Sequence, residues 1–328
     1  MTAARARPAP LDERARQRHK WRNRAQSLLL IGGLVTLLAL CVWVIFGPES
    51  ILWVLLGGAL GLLLGPRASP KWVLSMYGAR RIGPRELPEL HAVLQELTRR
   101  AGLPRMPELY YLPTPVLNAF TVGSREDAAI AVSDGLLRRL DLRELAGVLA
   151  HEISHVRNND LWVMGLADMV SRLTSLLSYL GMFLLFLALP MLLSEGGGGH
   201  WLLAGLLLTF APTLGSLLQL ALSRAREFEA DLDGAGLTGD PRGLAAALTK
   251  LERWQGRFWE EVLLPGRRMP VPSMLRTHPP TAERVRRLLS LYGEAPSPPF
   301  RAPLDHAPPR ASLPLVEAPR WRRTGAWY

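Results

Sequence analysis

Two histidines and a glutamate form the most chemically suggestive group in the sequence, His151-Glu152-Ile153-Ser154-His155. In an α-helix, residues four apart lie on the same face, so both imidazoles could bind one metal ion from successive turns. Glu152 would then lie beside the ion and could accept a proton from an activated water molecule without being a ligand itself. This spacing predicts a catalytic zinc site. An amphipathic helix can also carry two histidines without any metal, so the prediction requires a third ligand.

Two carboxylates later in the chain could supply that ligand. Glu227 and Asp231 are four residues apart in the run Ser223–Asp231, so they would also share a helical face. Catalytic zinc generally takes three protein ligands and leaves a fourth position for water. One carboxylate could therefore bind the metal, while the other accepts a hydrogen bond from the outer N–H of a ligand histidine. Taken alone, the same run is typical of a charged helix start outside a membrane, in which arginine pairs with glutamate.

The histidine pair lies in a segment that has its own helical pattern. Asp141 is followed three residues later by Glu144, which is the arrangement of a capping box at a helix start. The apolar residues that follow recur at helical spacing and would form the buried face: Leu142, Leu145, Val148, Leu149, Ile153 and Val156. The sequence therefore predicts an amphipathic helix that begins near Asp141 and carries both histidines.

Four long apolar runs surround these segments. The first, 27–46, has 20 residues, enough to cross a hydrocarbon core of about 30 Å, and no cleavage site follows it. The second, 51–65, has only 15 residues and would form either a short span or one arm of a re-entrant hairpin. The runs 173–193 and 201–222 are separated by a glycine-rich link. This pattern predicts about four transmembrane helices in two hairpins.

Basic residues set the expected orientation of these hairpins. Arg67 and Lys71 follow the first hairpin, and Arg224 and Arg226 follow the second, whereas neither internal link contains lysine or arginine. Because lysine and arginine are enriched on the cytoplasmic side, we expect both termini and the candidate site on that side of the cell membrane. Two crossings separate the histidine pair from the carboxylates, so both groups would return to the same face.

The remainder of the chain divides around the hairpins. The segment Leu87–Ala101 has the apolar spacing of a helix, and three short runs are compatible with strands: Glu108–Leu112, Ala119–Val122 and Ala128–Val132. The predicted fold is a mainly α-helical membrane protein with an α+β soluble domain that contains a small antiparallel sheet. The predicted segments are a basic disordered tail at 1–26, a transmembrane hairpin at 27–65, the first part of the soluble domain at 66–172, a second transmembrane hairpin at 173–222, the second part of the soluble domain at 223–292, and a Pro- and Arg-rich tail at 293–328.

Charge and cysteine content argue against two other classes of protein. A net charge of +11 could indicate nucleic-acid binding, but the arginines flank apolar runs or lie in Pro-rich tails, and no nucleic-acid reading motif accompanies them. Attraction to anionic lipid explains the charge more simply, so the expected partner is a lipid bilayer and not a nucleic acid. Cys41 is the only cysteine, which excludes an intrachain disulfide and an extracellular cross-linked fold.

Several short motifs occur in a fixed order along the chain: Tyr77-Gly78-Ala79, Asn118-Ala119-Phe120, His151-Glu152-x-x-His155, Ser223-Arg224-x-x-Glu227-x-x-Ala230-Asp231 and Thr277-His278-Pro279-Pro280. In this order they resemble the M48 metallopeptidases, and among these the HtpX-like membrane proteases. The resemblance covers roughly residues 27–292 and leaves both tails outside. It implies a gluzincin-like peptidase domain, one zinc ion per chain and polypeptide substrates.

The same resemblance implies a role for several residues. Glu152 would be the general base of peptide-bond hydrolysis, and the zinc ligands would be His151, His155 and Glu227. The substrates would be membrane or misfolded proteins, cut in their cytoplasmic segments.

Four further residues would assist the reaction. His278 would help to stabilise the oxyanion, and Asn118 would lie on the strand near the substrate, where an extended peptide could add to the sheet. Arg224 and Asp231 would support the site without taking part in the chemistry.

Two other functions remain open from the sequence. Leu232-Asp233-Gly234 resembles an element of site-2-type intramembrane proteases, but charged residues flank the histidine pair, and a membrane span rarely carries such residues. A zinc-binding membrane scaffold or chaperone is the non-enzymatic alternative. A purely structural metal site would not need the carboxylate of Glu152, which favours the enzyme.

Overall fold

The computed structural model describes residues 13–50, Leu52 and Leu56, and residues 70–193, 199–262 and 280–290. Apart from these two leucines, the predicted second apolar arm at 51–65 lies outside the described residues, as do His278 and the carboxy-terminal tail. Whether that arm crosses the membrane, and what His278 does, therefore stay predictions.

Helices account for most of the described chain. In chain order they are α1 (Glu13–Phe46), α2 (Pro70–Met76), α3 (Pro88–Ala101), α4 (Asp134–Arg139), α5 (Leu142–Arg157), α6 (Asp160–Leu193), α7 (Gly199–Thr238), α8 (Pro241–Val262) and α9 (Thr281–Ser290). Within the described residues, three stretches are long and apolar enough to cross a membrane: Trp21–Phe46, Asp160–Ala188 and Gly199–Thr238. Three of the four predicted apolar runs thus lie in helices that can span a bilayer, and the fourth is the arm at 51–65.

Helix α1 begins well before its apolar run. It starts at Glu13, inside the segment 1–26 for which the sequence analysis predicts disorder, and this corrects that prediction for residues 13–26. These residues include neither glycine nor proline and are rich in arginine, with alanine and glutamine among the others, and all three are good helix formers. Because the segment continues directly into an apolar helix, its helical turns need no separate nucleus.

Helices α6 and α7 form an antiparallel hairpin. Ser171 donates a hydrogen bond to Gln219 over 2.7 Å, and farther along the pair a Cβ added to Gly181 would lie 2.6 Å from the Cβ of Leu208. The absence of a side chain at Gly181 therefore permits close contact between the two helices. Helix α1 packs on this hairpin through Leu34, which is 1% exposed. Because α6 and α7 run antiparallel, the start of α6 lies beside the later turns of α7.

Four strands form one sheet in the order β1-β2-β4-β3, with β1 at Arg80–Arg81, β2 at Glu108–Leu112, β3 at Ala119–Gly123 and β4 at Ala128–Ser133. All three predicted strands are confirmed. The predicted antiparallel arrangement is wrong for one pair, because β4 inserts between β2 and β3 and runs parallel to β2. All residues of β4 are buried, whereas β3 is mostly half-exposed. A fully buried strand belongs at the centre of a sheet and a partly exposed strand at its edge.

Helix α5 occupies the centre of the soluble part. Leu149 of α5 and Ile130 of β4 belong to one buried cluster on one face of the sheet, and Leu74 of α2 packs on the opposite face. On its other side α5 meets α8, where a Cβ added to Gly147 would lie 2.9 Å from the backbone of Leu244. Packing on both sides fixes the position and the rotation of the helix that carries the histidine pair.

Candidate metal centre

The capping box at the start of α5 is confirmed. The Asp141 carboxylate accepts a hydrogen bond from the backbone N–H of Glu144 at 2.8 Å, and the Glu144 carboxylate accepts one from the N–H of Asp141 at 3.0 Å. This reciprocal pair fixes where the helix begins. The apolar face then packs on the sheet, so that His151 and His155 face α7.

Three side chains converge with the separations that a zinc ion requires. His151 Nε2 and His155 Nε2 lie 3.1 Å apart. Glu227 places Oε2 at 3.5 Å from His151 Nε2 and Oε1 at 3.7 Å from His155 Nε2. Ligand atoms bound tetrahedrally to zinc at about 2.1 Å are separated from one another by about 3.4 Å. The separations in this group are close to that value, and the three residues form a group that could hold a metal ion.

Helix α7 brings the third side chain to the histidines from a separate part of the chain. It runs without a break from Gly199 to Thr238, so Glu227 lies on the same helix as the apolar run 201–222. A Cβ added to Gly234 would lie 3.0 Å from the backbone nitrogen of His151. Because Gly234 has no side chain, α7 can pack directly on the backbone of α5 and carry Glu227 to the two imidazoles.

His151 is held on its outer side by what we call the first relay, His151–Asp231–Arg284. His151 Nδ1 lies 3.1 Å from a carboxylate oxygen of Asp231. Arg284 of α9 donates two hydrogen bonds to Asp231, at 2.6 and 2.7 Å, and its third nitrogen lies 3.2 Å from Glu227 Oε2. With the proton on Nδ1, His151 keeps the lone pair of Nε2 for a metal. Asp231 is thus placed where the predicted supporting carboxylate should be.

His155 is held by a second relay of the same composition, His155–Asp160–Arg226. His155 Nδ1 lies 2.8 Å from Asp160 Oδ2, and Arg226 Nε lies 3.0 Å from Asp160 Oδ1. Arg226 also donates a hydrogen bond to Glu229 at 2.6 Å. Asp160 is the first residue of α6, where a negative charge interacts favourably with the helix dipole.

Buried carboxylates dominate the electrostatics around the imidazoles. Although burial lowers the pKa of His151, its hydrogen bonds to Asp231 and Glu227 raise that pKa to about 10. Burial also lowers the pKa of His155, but the hydrogen bond to Asp160 and the charge of Glu227 raise it above its ordinary value. The surroundings therefore stabilise positive charge at both rings, which is the electrostatic condition for binding a divalent cation.

Glu152 is oriented by the edge strand of the sheet. Its Oε2 accepts a hydrogen bond of 2.8 Å from the hydroxyl of Thr121 on β3, and the carboxylate is buried. Asn118 lies immediately before β3, where its backbone N–H donates to Ser133 Oγ at 2.9 Å. In the described part of the chain, no strand pairs with the outer side of β3. The predicted general base and the residue predicted to lie near the substrate therefore adjoin the same sheet edge.

Among the predicted site residues, the structure does not bring Arg224 to the cluster. Arg224 is exposed on α7, whereas Arg226 is 9% exposed and contacts Asp160 and Glu229. Arg226 occupies the supporting position predicted for Arg224, because two residues along a helix rotate a side chain by about 200°. His278 lies outside the described residues, and α9 begins three residues after it at Thr281.

Four residues that support the candidate site were not predicted from the sequence. Thr121 contacts Glu152 and Asp160 contacts His155. Arg226 contacts Asp160, and Arg284 contacts Asp231 and Glu227. One feature of the sequence could have pointed to Asp160: it is an acidic residue at the start of the long helix that follows His155. The pairing of Arg284 with Asp231 joins residues 53 positions apart, and a single sequence contains no local pattern that reports such a contact.

The Leu232-Asp233-Gly234 element has a structural explanation. Asp233 accepts a hydrogen bond of 3.0 Å from Asn158 at the end of α5, and Gly234 permits the close helix packing described above. Glu227, and not Asp233, belongs to the candidate metal group. The geometry thus differs from that expected of an intramembrane site that uses this element for its metal.

A helical histidine pair with an adjacent glutamate, completed by a carboxylate from a second helix, defines a metallopeptidase centre. The apolar helices α1, α6 and α7 further mark the chain as a membrane protein. Its class is therefore that of the membrane metalloproteases.

Comparison with known proteins identifies the family. The model of Peptidase family M48 matches residues 84–292. The "Protease HtpX homolog" of Bifidobacterium longum is 36% identical over 250 residues, which cover 72% of this chain and 80% of that protein. The one from Aquifex aeolicus is 39% identical over 239 residues, covering 68% and 78%. The crystal structure of S. mikatae Ste24p is 20% identical, with a TM-score of 0.41, and covers 83% of this chain and 66% of that one. The chain belongs to peptidase family M48 and is an HtpX-like metalloprotease.

Proposed function

We propose that this protein is a zinc endopeptidase that hydrolyses peptide bonds of membrane or misfolded proteins on the cytoplasmic side of the membrane. The observation that carries the proposal is the convergence of His151, His155 and Glu227 beside the buried carboxylate of Glu152. Two neutral imidazoles and one carboxylate form a ligand set typical of catalytic zinc in peptidases.

The zinc ion and the protein side chains would have different roles in the reaction. A zinc ion held by His151, His155 and Glu227 would supply Lewis-acid activation of water and of the scissile carbonyl. Glu152 would accept the proton of the attacking water and deliver it to the leaving amine. Because Glu152 Oε2 accepts the hydrogen bond of Thr121, we assign proton transfer to Oε1. Asp231 and Asp160 would keep the two ligand rings in the required tautomer.

Substrate binding is assigned to the edge of the sheet. An extended peptide could pair with the outer side of β3, beginning near Asn118, and be held through its backbone. Binding of this type implies loose sequence selectivity. We further propose that His278 stabilises the oxyanion that develops in the transition state.

The position of Glu227 supports a preference for segments near the membrane. Glu227 follows the apolar run 201–222 by five residues on one continuous helix, a distance of about 8 Å along the axis. A peptide bond bound at this site would therefore lie close to the bilayer surface. Proteins that expose cleavable loops next to their spans are the substrates that fit this geometry.

The replacement Glu152→Gln tests the mechanism. We expect a loss of about 10²–10⁴-fold in peptide hydrolysis, because the amide cannot accept the proton, while metal content stays unchanged. The assay is cleavage of casein and of a model membrane protein by the full-length protein in detergent. Glu252→Gln, at an exposed position on α8, is the matched control and should cleave like the wild type.

Removal of the metal is a second test of the mechanism. EDTA should inactivate the wild type, and added zinc should restore activity. Normal cleavage by Glu152→Gln would exclude Glu152 as the base. A wild-type protein that binds zinc but cleaves neither substrate would instead support the alternative of a membrane scaffold.

A further inference from the structure

We propose that Asp160 and Arg226 are positioning residues that fix the orientation of His155 for the metal, and that they do so from the membrane hairpin. This inference rests on the proposed metal site. It adds that one metal ligand is held by the packing of α6 against α7, the two helices that carry the apolar runs of the second hairpin.

The ring of His155 can hold its proton in two ways. A neutral imidazole carries one N–H, and either nitrogen can hold it. The carboxylate of Asp160, 2.8 Å from Nδ1, selects the tautomer in which Nδ1 donates and Nε2 has a lone pair. That lone pair is on the nitrogen 3.1 Å from His151 Nε2, within the candidate metal group. Asp160 thus determines which nitrogen of His155 is available to a metal.

Asp160 is held in place by charged side chains. Its side chain is 3% exposed, and a buried carboxylate is stable only with charged or hydrogen-bonding partners. Arg226 Nε lies 3.0 Å from Asp160 Oδ1, and Arg226 is held in turn by Glu229 at 2.6 Å. Arg226 and Glu229 are also almost completely buried. The three side chains form a compact charged cluster whose geometry leaves little freedom to the carboxylate that contacts His155.

These side chains lie on two different helices. Asp160 is the first residue of α6, and Arg226 and Glu229 lie on α7. The distance between Asp160 and Arg226 is therefore set by the alignment of the two hairpin helices, which Ser171 and Gln219 link farther along. A sliding or rotation of one helix against the other would move the carboxylate away from His155. Metal binding and hairpin packing are coupled through this contact.

The decisive measurement is metal affinity in the full-length protein in detergent, obtained by competition between the protein and a chelator for zinc. Asp160→Asn keeps the shape of the side chain but removes the negative charge that pairs with Arg226, and it leaves one acceptor oxygen where the carboxylate has two. We expect zinc to bind about 10–100-fold more weakly to this variant. We also expect the visible absorption spectrum of the cobalt-substituted protein to shift, because the ligand ring changes its orientation.

The matched control is Asp168→Asn. Asp168 lies two turns farther along α6 and pairs with Arg172 on the surface, where both side chains are at least half exposed. We expect this variant to bind zinc as the wild type does. Arg226→Lys is the second test variant, since lysine keeps the positive charge but lacks the planar fork of arginine. This variant should also bind zinc more weakly, and it tests the positioning role if Asp160→Asn does not fold.

The outcomes separate this inference from the proposed function. If Asp160→Asn binds zinc as tightly as the wild type, with the same cobalt spectrum, the positioning role is rejected, even when the variant unfolds at a lower temperature. In that case wild-type binding of one zinc ion would leave the proposed function intact. If the wild type and Asp168→Asn bind no zinc at all, both the positioning role and the proposed function are rejected.

Discussion

The two histidines of the candidate metal group are supported by relays of identical composition in different regions of the molecule. The first relay joins His151 through Asp231 to Arg284, on a helix of the soluble part. The second relay joins His155 through Asp160 to Arg226, on the membrane hairpin. The same sequence of imidazole, carboxylate and guanidinium thus connects the candidate metal group to both halves of the protein.

The relays differ in what their arginines contact. Arg284 forms two hydrogen bonds with Asp231 and also lies 3.2 Å from the carboxylate of Glu227. Arg226 contacts Asp160 and Glu229, and in the described contacts it does not reach the candidate ligand Glu227. Loss of the arginine of the first relay should therefore affect two of the three candidate ligands, whereas loss of a residue of the second relay should affect only one.

The largest effect is expected from Arg284→Ala. This change leaves the buried carboxylates of Asp231 and Glu227 without the arginine, and removing one partner of a buried ion pair costs about 3–5 kcal/mol. We expect a clearly lower midpoint of thermal unfolding and weaker zinc binding than in Asp160→Asn. Arg286→Ala, exposed on the same helix, is the control and should lie within about 0.5 kcal/mol of the wild type. Equal zinc affinities for Arg284→Ala and Asp160→Asn would contradict the stated difference between the relays.

An intermediate effect is expected from Gly234→Ala, which acts on the helix contact behind the first relay. The added Cβ would lie 3.0 Å from the His151 backbone nitrogen and 3.1 Å from its Cα, so α7 must move away from α5. Overpacking of this kind costs about 1–3 kcal/mol, partly offset by the higher helix propensity of alanine. The midpoint of thermal unfolding and the affinity for zinc should both decrease. Gly165→Ala on α6 is the control, because nothing lies within 4 Å of its added Cβ.

The smallest effect is expected from Arg24→Gln, at the outer end of the second relay. Arg24 of α1 lies 3.7 Å from Glu229, but its side chain is 54% exposed, so this ion pair is worth about 0–1 kcal/mol. Glu229 keeps its contact with Arg226 in the variant. Zinc affinity should be close to that of the wild type and of the surface control Arg172→Gln. A loss as large as that of Asp160→Asn would show that the relay extends into α1.

The local parts of the site could be predicted from the sequence because their interactions lie within a few residues. The capping box of Asp141 and Glu144 spans three positions, and the stacking of His151 and His155 follows from the helical repeat. The three strands were recognisable as short apolar runs bounded by turn residues. The prediction that Glu227 is the third ligand required the resemblance to a family, since spacing alone left Glu227 and Asp231 equivalent.

Other features could not be predicted, because they depend on contacts between distant segments. The parallel pairing of β2 with β4 depends on which strand becomes fully buried, and this is decided by the helices on both faces of the sheet. The hydrogen bond from Thr121 to Glu152 depends on how α5 rests against β3. The choice of Arg226 over Arg224 depends on the rotation of α7 against α6, and a one-dimensional charge pattern does not specify that rotation.

By itself, the sequence determined the elements and the chemistry of this protein: the helix with its histidine pair, the apolar runs, the candidate carboxylates and the family. Helical periodicity and capping are local and can be read from neighbouring residues. Only the tertiary structure decided that each histidine of the candidate metal group lies against an aspartate held by an arginine, and that one of these arginines lies on the hairpin of α6 and α7. Such contacts require that helices approach one another closely, and glycines such as Gly234 permit this approach. The packing of side chains then determines which residues meet.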